Sequence, residues 1–378
     1  MAITDKDAVL ILGAGASSQF NLPVGRGLLD KVRGKIKTEL ENITAISPPS
    51  VLQILHRRNN PTNPRYNYRS YPILGTYLLQ LTAEQQAEHQ NFNLIVSEAR
   101  RAVDFLTSQT ADTIDAFIAQ NPSVSRIVKI AIASIFFETL YTFNEMNNIH
   151  VWQLRPLFGR VLKKERNWVH LLVNLLRHAY IEKWVSEKNR LKIITFNYDT
   201  VLESVFDKVF TNTEIEIPPW KEIIDIVHMH GRMPYLDKAI EDHFLAIGEM
   251  AGSIEVATEK SPKREVQCNR DIARAWVNDA SKIYACGYSF AGPNCRLLGL
   301  SKNGRFIAGG EPSYIRFCNY DGNPGLTNSA ARYGVYEKGL ATKQHPPLRL
   351  LIEDAPRNGE KLSITNWFYR GGPGELPA

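Results

Sequence analysis

Residues 192–210, which read KIITFNYDTVLESVFDKVF, constrain the fold more than any other stretch of this chain. Ile193 to Phe196 is a short apolar, β-prone run of the kind that fills a strand buried on both faces. Asp199 follows where a helix can begin, because its carboxylate can accept from the first free backbone N–H groups. The stretch therefore predicts a strand, a tight turn and a helix, whose apolar stripe is Val201, Leu202, Val205, Phe206 and Val209.

Asn197 is the residue that this turn presents at the carboxyl end of the strand. Ligands of open α/β sheets bind at that edge. An uncharged amide beside a carboxylate can orient a water or a sugar hydroxyl without competing for its proton. The same Asn-Tyr-Asp segment is also an ordinary turn signal, so by itself it leaves both interpretations open.

The beginning of the chain has a similar strand and turn. Residues 8–12 form an apolar run, and a helix is predicted after residue 27. Glycine at such a turn lets backbone N–H groups approach a phosphate. The third glycine of the dinucleotide fingerprint is missing, and no acidic residue ends a clear second strand about 20 residues on. The turn that could hold a phosphate consists of Gly13, Ala14, Gly15, Ala16, Ser17 and Ser18.

The composition allows one large domain or two modest ones. The chain has 378 residues, 44% of them hydrophobic, and a net charge of +6 from basic pairs that are dispersed along the sequence. This mild excess fits an anionic small ligand or a weak nucleic-acid contact and does not decide between them. The four cysteines form no C-x-x-C pair, which disfavours a structural zinc site and a disulfide framework. Acidic residues before the first apolar run argue against a signal peptide, and no apolar window is long enough for a bilayer, so we predict a cytoplasmic protein without a membrane segment.

Residues 40–190 have a different pattern. Helical periodicity runs through residues 92–106, 127–143 and 169–184, with loops rich in proline and asparagine elsewhere in this part of the chain. We therefore predict a mostly helical insertion at residues 41–189.

A further strand is predicted at residues 223–227, directly before the segment His-Met-His-Gly. Gly231 allows a tight turn that holds the imidazole of His230 at the carboxyl end of the strand. Imidazole suits proton transfer near neutral pH. A zinc site made by His228 and His230 is conceivable, but alternate strand residues face opposite sides of a sheet and no third ligand is evident.

Two later strands, at residues 282–286 and 314–318, are again followed by polar or glycine residues, and residues 348–352 are a candidate for one more strand. Strands that alternate with helices predict an α/β fold with a Rossmann-like, doubly wound parallel sheet. We assign residues 1–40 and 190–330 to this domain and residues 331–378 to a C-terminal extension. The small and polar groups at the sheet edge indicate a nucleotide-sized site, to which the later strands add Gly287, Tyr288, Ser289 and Asn319.

Together these segments resemble the sirtuin-like NAD-binding domain. The matching residues are 13–17 with Pro23 and Arg26, 195–199, His230 with Gly231, and 287–289. Thr-x-Asn-Tyr-Asp, in place of the deacylases' Thr-Gln-Asn-Ile-Asp, looks like the sirtuin-like NAD hydrolases of bacterial anti-phage defence systems. Residues 113–117 resemble a short motif of their helical insertion, and residues 315–319 resemble their strand toward the adenosine.

The chain departs from this family at several positions. It lacks the two cysteine pairs of the deacylases' zinc module, which disfavours a protein deacylase. Val24 stands where the deacylases have an acid after the proline, and Ala291 with Gly292 follow Gly-Tyr-Ser-Phe where relatives often have an acid. These differences concern the nicotinamide pocket and the ribose contacts.

The resemblance implies hydrolysis of NAD+ at the nicotinamide–ribose bond, to nicotinamide and ADP-ribose or its cyclic form. Asn197 would position the attacking water or ribose hydroxyl, Asp199 would orient the turn, and His230 would accept a proton. Nicotinamide leaves without acid help, so the enzyme must stabilise an oxocarbenium-like transition state. NAD contacts are implied, without a metal, for Gly13, Ala14, Gly15, Ala16, Ser17, Pro23, Arg26, Thr195, Gly287, Tyr288, Ser289 and Asn319.

The resemblance also implies a cellular role. It suggests an NAD-depleting effector of anti-phage defence by abortive infection, a homo-oligomer, and a HerA-type ATPase partner or alternatively an Argonaute-type protein. Nucleic acid would be reached through that complex. Two other hypotheses are a non-catalytic NAD or ADP-ribose sensor and a nucleic-acid-processing subunit, although no carboxylate cluster for nuclease metals is evident.

Overall fold

The computed structural model describes most of the first 300 residues and one later strand. The described ranges are 8–20, 22–44, 71–80, 89–108, 111, 113–146, 149–154, 168–211, 217–234, 240, 242–257, 262–280, 282–300 and 314–318. The predicted strand at residues 348–352 and the C-terminal extension lie outside them.

Seven strands are formed by these residues. In chain order they are β1 (Ala8–Leu12), β2 (Tyr141–Met146), β3 (Ile149–Leu154), β4 (Leu191–Thr195), β5 (Ile224–His228), β6 (Lys282–Cys286) and β7 (Tyr314–Cys318). The α-helices are α1 (Gly25–Thr44), α2 (Pro72–Leu79), α3 (His89–Ser108), α4 (Ile114–Gln120), α5 (Ser125–Leu140), α6 (Trp168–Ile181), α7 (Val201–Thr211), α8 (Trp220–Ile223), α9 (His243–Ser253), α10 (Arg264–Asp279) and α11 (Gly292–Leu297). Two 3-10 helices span Ala14–Phe20 and Pro122–Val124.

The chain divides into two compact units. The sheet unit contains Met1–Asn21, Leu157–Gly231 and Ala257–Ala378, and the helical unit contains Leu22–Pro156 and Arg232–Val256. The sequence assigned residues 22–40 to the α/β domain and residues 168–181 to the insertion, whereas the compact units group α1 with the helices and α6 with the sheet.

The sheet unit is built on five parallel strands in the order β5-β4-β1-β6-β7. Ile11 of β1 lies opposite Ile194 of β4 and Ala285 of β6 in register. All three residues are fully buried, as expected for β-branched and small residues in central strands that are covered on both faces. The prediction of an α/β fold with an all-parallel sheet is therefore confirmed.

The core on one face of this sheet contains side chains from the strands and from α10. Val9, Ile11, Ile283 and Ile315 contribute from the strands, and the fully buried Val277 is among the residues that α10 contributes. The loop after β6 adds its aromatic rings to this cluster. This packing fixes the carboxyl ends of β1, β4 and β6 relative to each other.

The helical unit packs around α5, in which ten residues are buried. Glu39 of α1, which is 3% exposed, accepts hydrogen bonds from the backbone N–H groups of Ile73 and Leu74 at the start of α2. Lys35 and Glu138 form an ion pair between α1 and α5. Thr113 caps α4 by accepting from the N–H of Ala116 at 3.2 Å. The residues 113–117 therefore form a capped helix start.

The expectation of a helix over residues 127–143 is wrong at its end. The helix α5 ends at Leu140, and Tyr141–Met146 pairs antiparallel with Ile149–Leu154 as a two-stranded hairpin. Tyr141 and Phe143 lie opposite Leu154 and Trp152 in this ladder. The β-prone Tyr-Thr-Phe run thus follows its local propensity once a partner strand is present.

Candidate functional site

The glycine turn after β1 packs directly against the turn after β6. The N–H of Gly13 donates to the carbonyl of Cys286 at 2.9 Å, and the N–H of Gly15 donates to that of Gly287 at 3.2 Å. A Cβ on Gly13 would lie 2.3 Å from the Gly287 carbonyl oxygen. Gly287 has φ +61°, a conformation that favours glycine, and a Cβ there would lie 2.4 Å from the nitrogen of Ala16. Both glycines are thus explained by the close approach of two backbone turns.

These hydrogen bonds occupy backbone N–H groups that the sequence analysis predicted to contact a phosphate. The N–H groups of Gly13 and Gly15 donate across the two turns, and that of Ala16 donates to the Gly13 carbonyl at 2.9 Å. Trp168, a residue that the sequence did not single out, donates its indole N–H to the Ala16 carbonyl at 3.1 Å. Of the turn's first four residues, Ala14 is the exposed one, and its N–H is not among those that donate across the turns.

Ser17 connects the glycine turn to the turn after β4. Its hydroxyl donates to Asp199 Oδ2 at 3.0 Å and accepts from the Asn197 side-chain amide at 2.8 Å. An ionised carboxylate can only accept, so the Ser17 hydroxyl donates its hydrogen to Asp199 and must accept from Asn197. The Asn197 atom that faces Ser17 is therefore the amide nitrogen, and Oδ1 points the other way. Asn197 Oδ1 is buried and has no hydrogen-bond partner among the described residues. The site therefore offers one oriented, unused acceptor.

The turn that carries Asn197 is held by its own polar residues. Thr195, 4% exposed, accepts from the N–H of Asn197 through its hydroxyl at 3.1 Å. Phe196 donates its N–H to the Leu12 carbonyl at 2.8 Å, and Asp199 accepts from the N–H of Val201 at 3.2 Å. The expected capping by Asp199 is confirmed, and Thr195 shapes the turn.

Burial raises the pKa of Asp199 to about 6, even though the N–H of Val201 and the Ser17 hydroxyl act in the opposite direction. Glu203 raises this pKa further, and His228 lowers it. Asp199 is therefore mostly ionised at neutral pH and loses its charge in mildly acidic solution.

His230 is brought to the same region, inside an aromatic environment. The imidazole is 1% exposed and lies edge-on to Phe196, with ring centroids 5.2 Å apart. Tyr198 is on another side at 5.9 Å. Gly231 has φ +79°, so the expected tight turn after His230 is present. The structure thus places His230 against the two residues that flank Asn197.

His228 and Glu203 form a buried pair that the sequence did not predict. His228 Nε2 lies 2.9 Å from Glu203 Oε1, and Nδ1 lies 3.1 Å from the Asn197 carbonyl oxygen. The two residues are 4% and 5% exposed. The four-residue spacing of Asp199 and Glu203 could have suggested the carboxylate, since such residues are neighbours at a helix start.

The loop after β6 contributes buried rings. Tyr288 is 2% exposed and lies between Phe196 and Phe290, with centroid distances of 5.0 and 4.9 Å. Phe290 has φ +51°, a left-handed conformation that is strained for a bulky residue. Ser289, by contrast, is exposed. Of the predicted ligand contacts in this loop, the Tyr288 side chain is therefore used for packing.

Three predicted contacts are not among the described residues of the sheet unit. Pro23 is buried in the helical unit, and Arg26 is in the first turn of α1 in the same unit. Asn319 lies outside the described residues.

Metal and membrane features are absent from the described part of the chain. Its residues contain no group of three histidine, cysteine or acidic side chains that could hold a metal ion. None of its helices is long and apolar enough to cross a membrane.

Comparison with protein-family models, curated proteins and solved structures finds no match for this chain.

Proposed function

We propose that this protein is a sirtuin-like NAD+ hydrolase, which cleaves the nicotinamide–ribose bond to give nicotinamide and ADP-ribose or its cyclic form. The observation that carries the proposal is the network of Ser17, Asn197 and Asp199 at the carboxyl ends of β1 and β4. This network leaves Asn197 Oδ1 as a buried acceptor aimed away from Ser17. A buried acceptor without a protein partner suits a water or a sugar hydroxyl.

The strand order supports a nucleotide as the ligand. If the five strands β1, β4, β5, β6 and β7 are renumbered 1 to 5 along the chain, their order across the sheet is 3-2-1-4-5. This is the order of Rossmann-like doubly wound sheets. In such sheets ligands bind beyond the carboxyl ends of the strands, where the order reverses. That place lies between β1 and β6, and the end of β1 carries the glycine turn and Ser17.

The network indicates how substitution at the ribose carbon would proceed. Asn197 Oδ1 would accept a hydrogen bond from the attacking water, or from a ribose hydroxyl in the cyclising or ribose-assisted case. The C–N bond to nicotinamide breaks, the C–O bond forms, and the proton of the nucleophile passes to His230. Nicotinamide departs neutral because NAD+ carries the positive charge on that ring. Asp199 keeps the amide oriented through Ser17.

We assign the pyrophosphate of NAD+ to the glycine turn, but not every N–H group of this turn can bind it. Since three N–H groups of this turn donate within the protein, the exposed Ala14 is the residue best able to approach a phosphate. Pro23, Arg26 and Asn319 are assigned to NAD on the family resemblance alone.

Incubation of the purified chain with NAD+, followed by separation of nicotinamide, ADP-ribose and cyclic ADP-ribose, tests the proposal. We expect nicotinamide release that falls about 100- to 10,000-fold in Asn197→Ala and in His230→Ala, since positioning and base catalysis each contribute on that scale. Asn189→Ala, which removes an amide that donates to the Trp184 carbonyl in an exposed turn of the same unit, is the matched control. No nicotinamide release in any oligomeric or partner-bound state would refute the hydrolase.

The burial of His230 favours a second candidate, a sensor that binds NAD or ADP-ribose without turnover. An imidazole that is 1% exposed among aromatic rings is poorly placed to pass a proton to solvent. Calorimetry with ADP-ribose distinguishes the two functions. Tight binding without nicotinamide release from NAD+ would identify the sensor.

The cellular role is proposed from the resemblance. We assign the chain to an NAD-depleting effector of anti-phage defence that acts as a homo-oligomer with a HerA-type ATPase or, alternatively, an Argonaute-type partner. Its net charge of +6 also fits contact with nucleic acid through such a complex. Mass measurement of the chain alone and with a co-expressed ATPase tests the assembly, and a strict monomer at micromolar concentration contradicts it.

A further inference from the structure

We propose that His228 is a positioning residue for Asn197, an inference that rests on the proposed hydrolase. His228 ends β5, and its ring bridges the Asn197 carbonyl oxygen, 3.1 Å from Nδ1, and Glu203 Oε1, 2.9 Å from Nε2. Neither His228 nor Glu203 has a place in the substitution chemistry above. Their effect on the reaction would pass through Asn197.

The hydrogen positions on this ring follow from its partners. A backbone carbonyl only accepts, so Nδ1 must carry a hydrogen. The pair of His228 and Glu203 is neutral in both remaining arrangements, as imidazolium with carboxylate or as imidazole with a protonated acid. The Nδ1–H bond to Asn197 is present in both. The position of the shared proton therefore does not change the support given to the turn.

Asn197 is consequently held at two points that come from different parts of the chain. Its side chain donates to Ser17 in the glycine turn, and its backbone carbonyl accepts from His228 on the neighbouring strand. His228 is itself fixed, because Asn269 of α10 donates to its carbonyl at 3.3 Å. The N–H of Met229 donates to the Thr195 carbonyl at 2.9 Å, which continues the ladder past the end of β5. Because both the backbone and the side chain of Asn197 are fixed, its Oδ1 is held in one place.

Two substitutions separate the two bonds of the ring. The side-chain amide nitrogen of asparagine occupies nearly the position of Nδ1, and that of glutamine nearly the position of Nε2. His228→Asn can therefore keep the bond to the Asn197 carbonyl while losing Glu203. His228→Gln can keep the bond to Glu203 while losing Asn197. A role limited to stability predicts the larger loss in His228→Asn, because that variant gives up the bond to the buried Glu203 carboxylate.

The experiment compares kcat and KM for NAD+ in these two variants, with thermal unfolding measured alongside. We expect kcat of His228→Asn to exceed that of His228→Gln about 10- to 100-fold, the scale of a misplaced positioning group, with similar KM, although His228→Asn should unfold at the lower temperature. Equal kcat values, or a faster glutamine variant, would overturn the proposal while leaving the hydrolase intact. A wild-type chain that releases no nicotinamide in any state overturns the hydrolase, and the positioning role with it.

A second measurement does not depend on the variants folding. In the wild-type chain, ¹⁵N NMR of the histidine rings should show a hydrogen on Nδ1 of His228. Glu203→Gln, which can donate to Nε2 and so keep the hydrogen on Nδ1, should preserve this signal. A His228 ring that carries its only hydrogen on Nε2 would overturn the inference.

Discussion

Two buried carboxylates, one in each compact unit, look alike by themselves and differ in what surrounds them. Burial raises the pKa of Asp199 to about 6 and that of Glu39 to about 8. Glu39 accepts from two backbone N–H groups at the start of α2, and both of these hydrogen bonds lie within the helical unit. Asp199 also caps a helix start, but its other oxygen accepts from Ser17, which in turn holds Asn197.

The comparison shows that a perturbed pKa does not identify a site. Structural carboxylates that cap helices are shifted by the same burial as functional ones. What distinguishes Asp199 is its connection through Ser17 to Asn197, whose buried Oδ1 has no partner among the described residues. The following predictions test whether the two units differ in this way.

The largest expected effect concerns a glycine in each unit. Gly13→Ala should destabilise the protein by several kcal/mol, on the order of the worst packing substitutions, because its Cβ would lie 2.3 Å from a backbone oxygen. Gly34→Ala, inside α1 with open space around it, should stabilise by about 0.5–1 kcal/mol. Thermal unfolding of both variants measures the difference. A Gly13→Ala protein as stable as wild type would contradict the packing of the two turns.

The next effect concerns the two carboxylates and activity. Asp199→Asn should lower kcat about 10- to 100-fold, because a charge-assisted hydrogen bond of about 1.5–3 kcal/mol no longer orients the Ser17 hydroxyl. Glu39→Gln should leave kcat unchanged. Wild-type turnover should fall as the pH drops through about 6, where Asp199 gains its proton, and the part of this fall that comes from Asp199 should be missing in Asp199→Asn. Equal losses in the two variants would remove the distinction between the units.

A smaller effect is expected for two buried serines. Ser17→Ala should destabilise by about 1–3 kcal/mol, since it leaves Asp199 and the Asn197 amide without a shared partner. Ser134 Oγ in α5 is buried without a partner among the described residues, so Ser134→Ala should be neutral or slightly stabilising. Urea unfolding gives both free energies. Comparable destabilisation by both substitutions would count against the network.

The most gradual effect is a pH dependence in the helical unit. The folded pKa of Glu39, about 8, lies above its ordinary value of 4.5. Its contribution to stability is therefore fully present below pH 4.5 and is lost as the pH rises through about 8. The stability of Glu39→Gln relative to wild type should grow by up to about 1.4 kcal/mol per pH unit across that window and level off above it. A difference independent of pH would show that the pKa of Glu39 is not raised in the folded state.

The local elements were predictable because each depends on neighbouring residues. Alternation, apolar runs and capping groups identified β1, β4, β6, β7 and the start of α7 within a few residues. The hairpin of β2 and β3 was missed, since its first strand continues the apolar pattern of α5 and only its partner strand reveals it.

The candidate site was predictable in part. Asn197, Asp199 and the Gly231 turn follow from local signals, and the structure places them as expected. The partners of Ser17, Glu203 and His228 could not be derived, because each is a side chain from a distant segment, although the spacing of Glu203 from Asp199 hints at the carboxylate itself. Trp168 supports the glycine turn from 152 positions away and leaves no trace in the local pattern.

The sequence by itself determined the strand-turn-helix units and the kinds of polar groups that end the strands, because backbone propensity and helix capping act over a few residues. Only the tertiary structure decided that Ser17 joins Asn197 and Asp199. It also decided that Asn197 Oδ1 is the atom without a hydrogen-bond partner in the described part of the chain. Hydrogen bonds between residues 180 positions apart depend on how strands are ordered in the sheet, which no local pattern encodes.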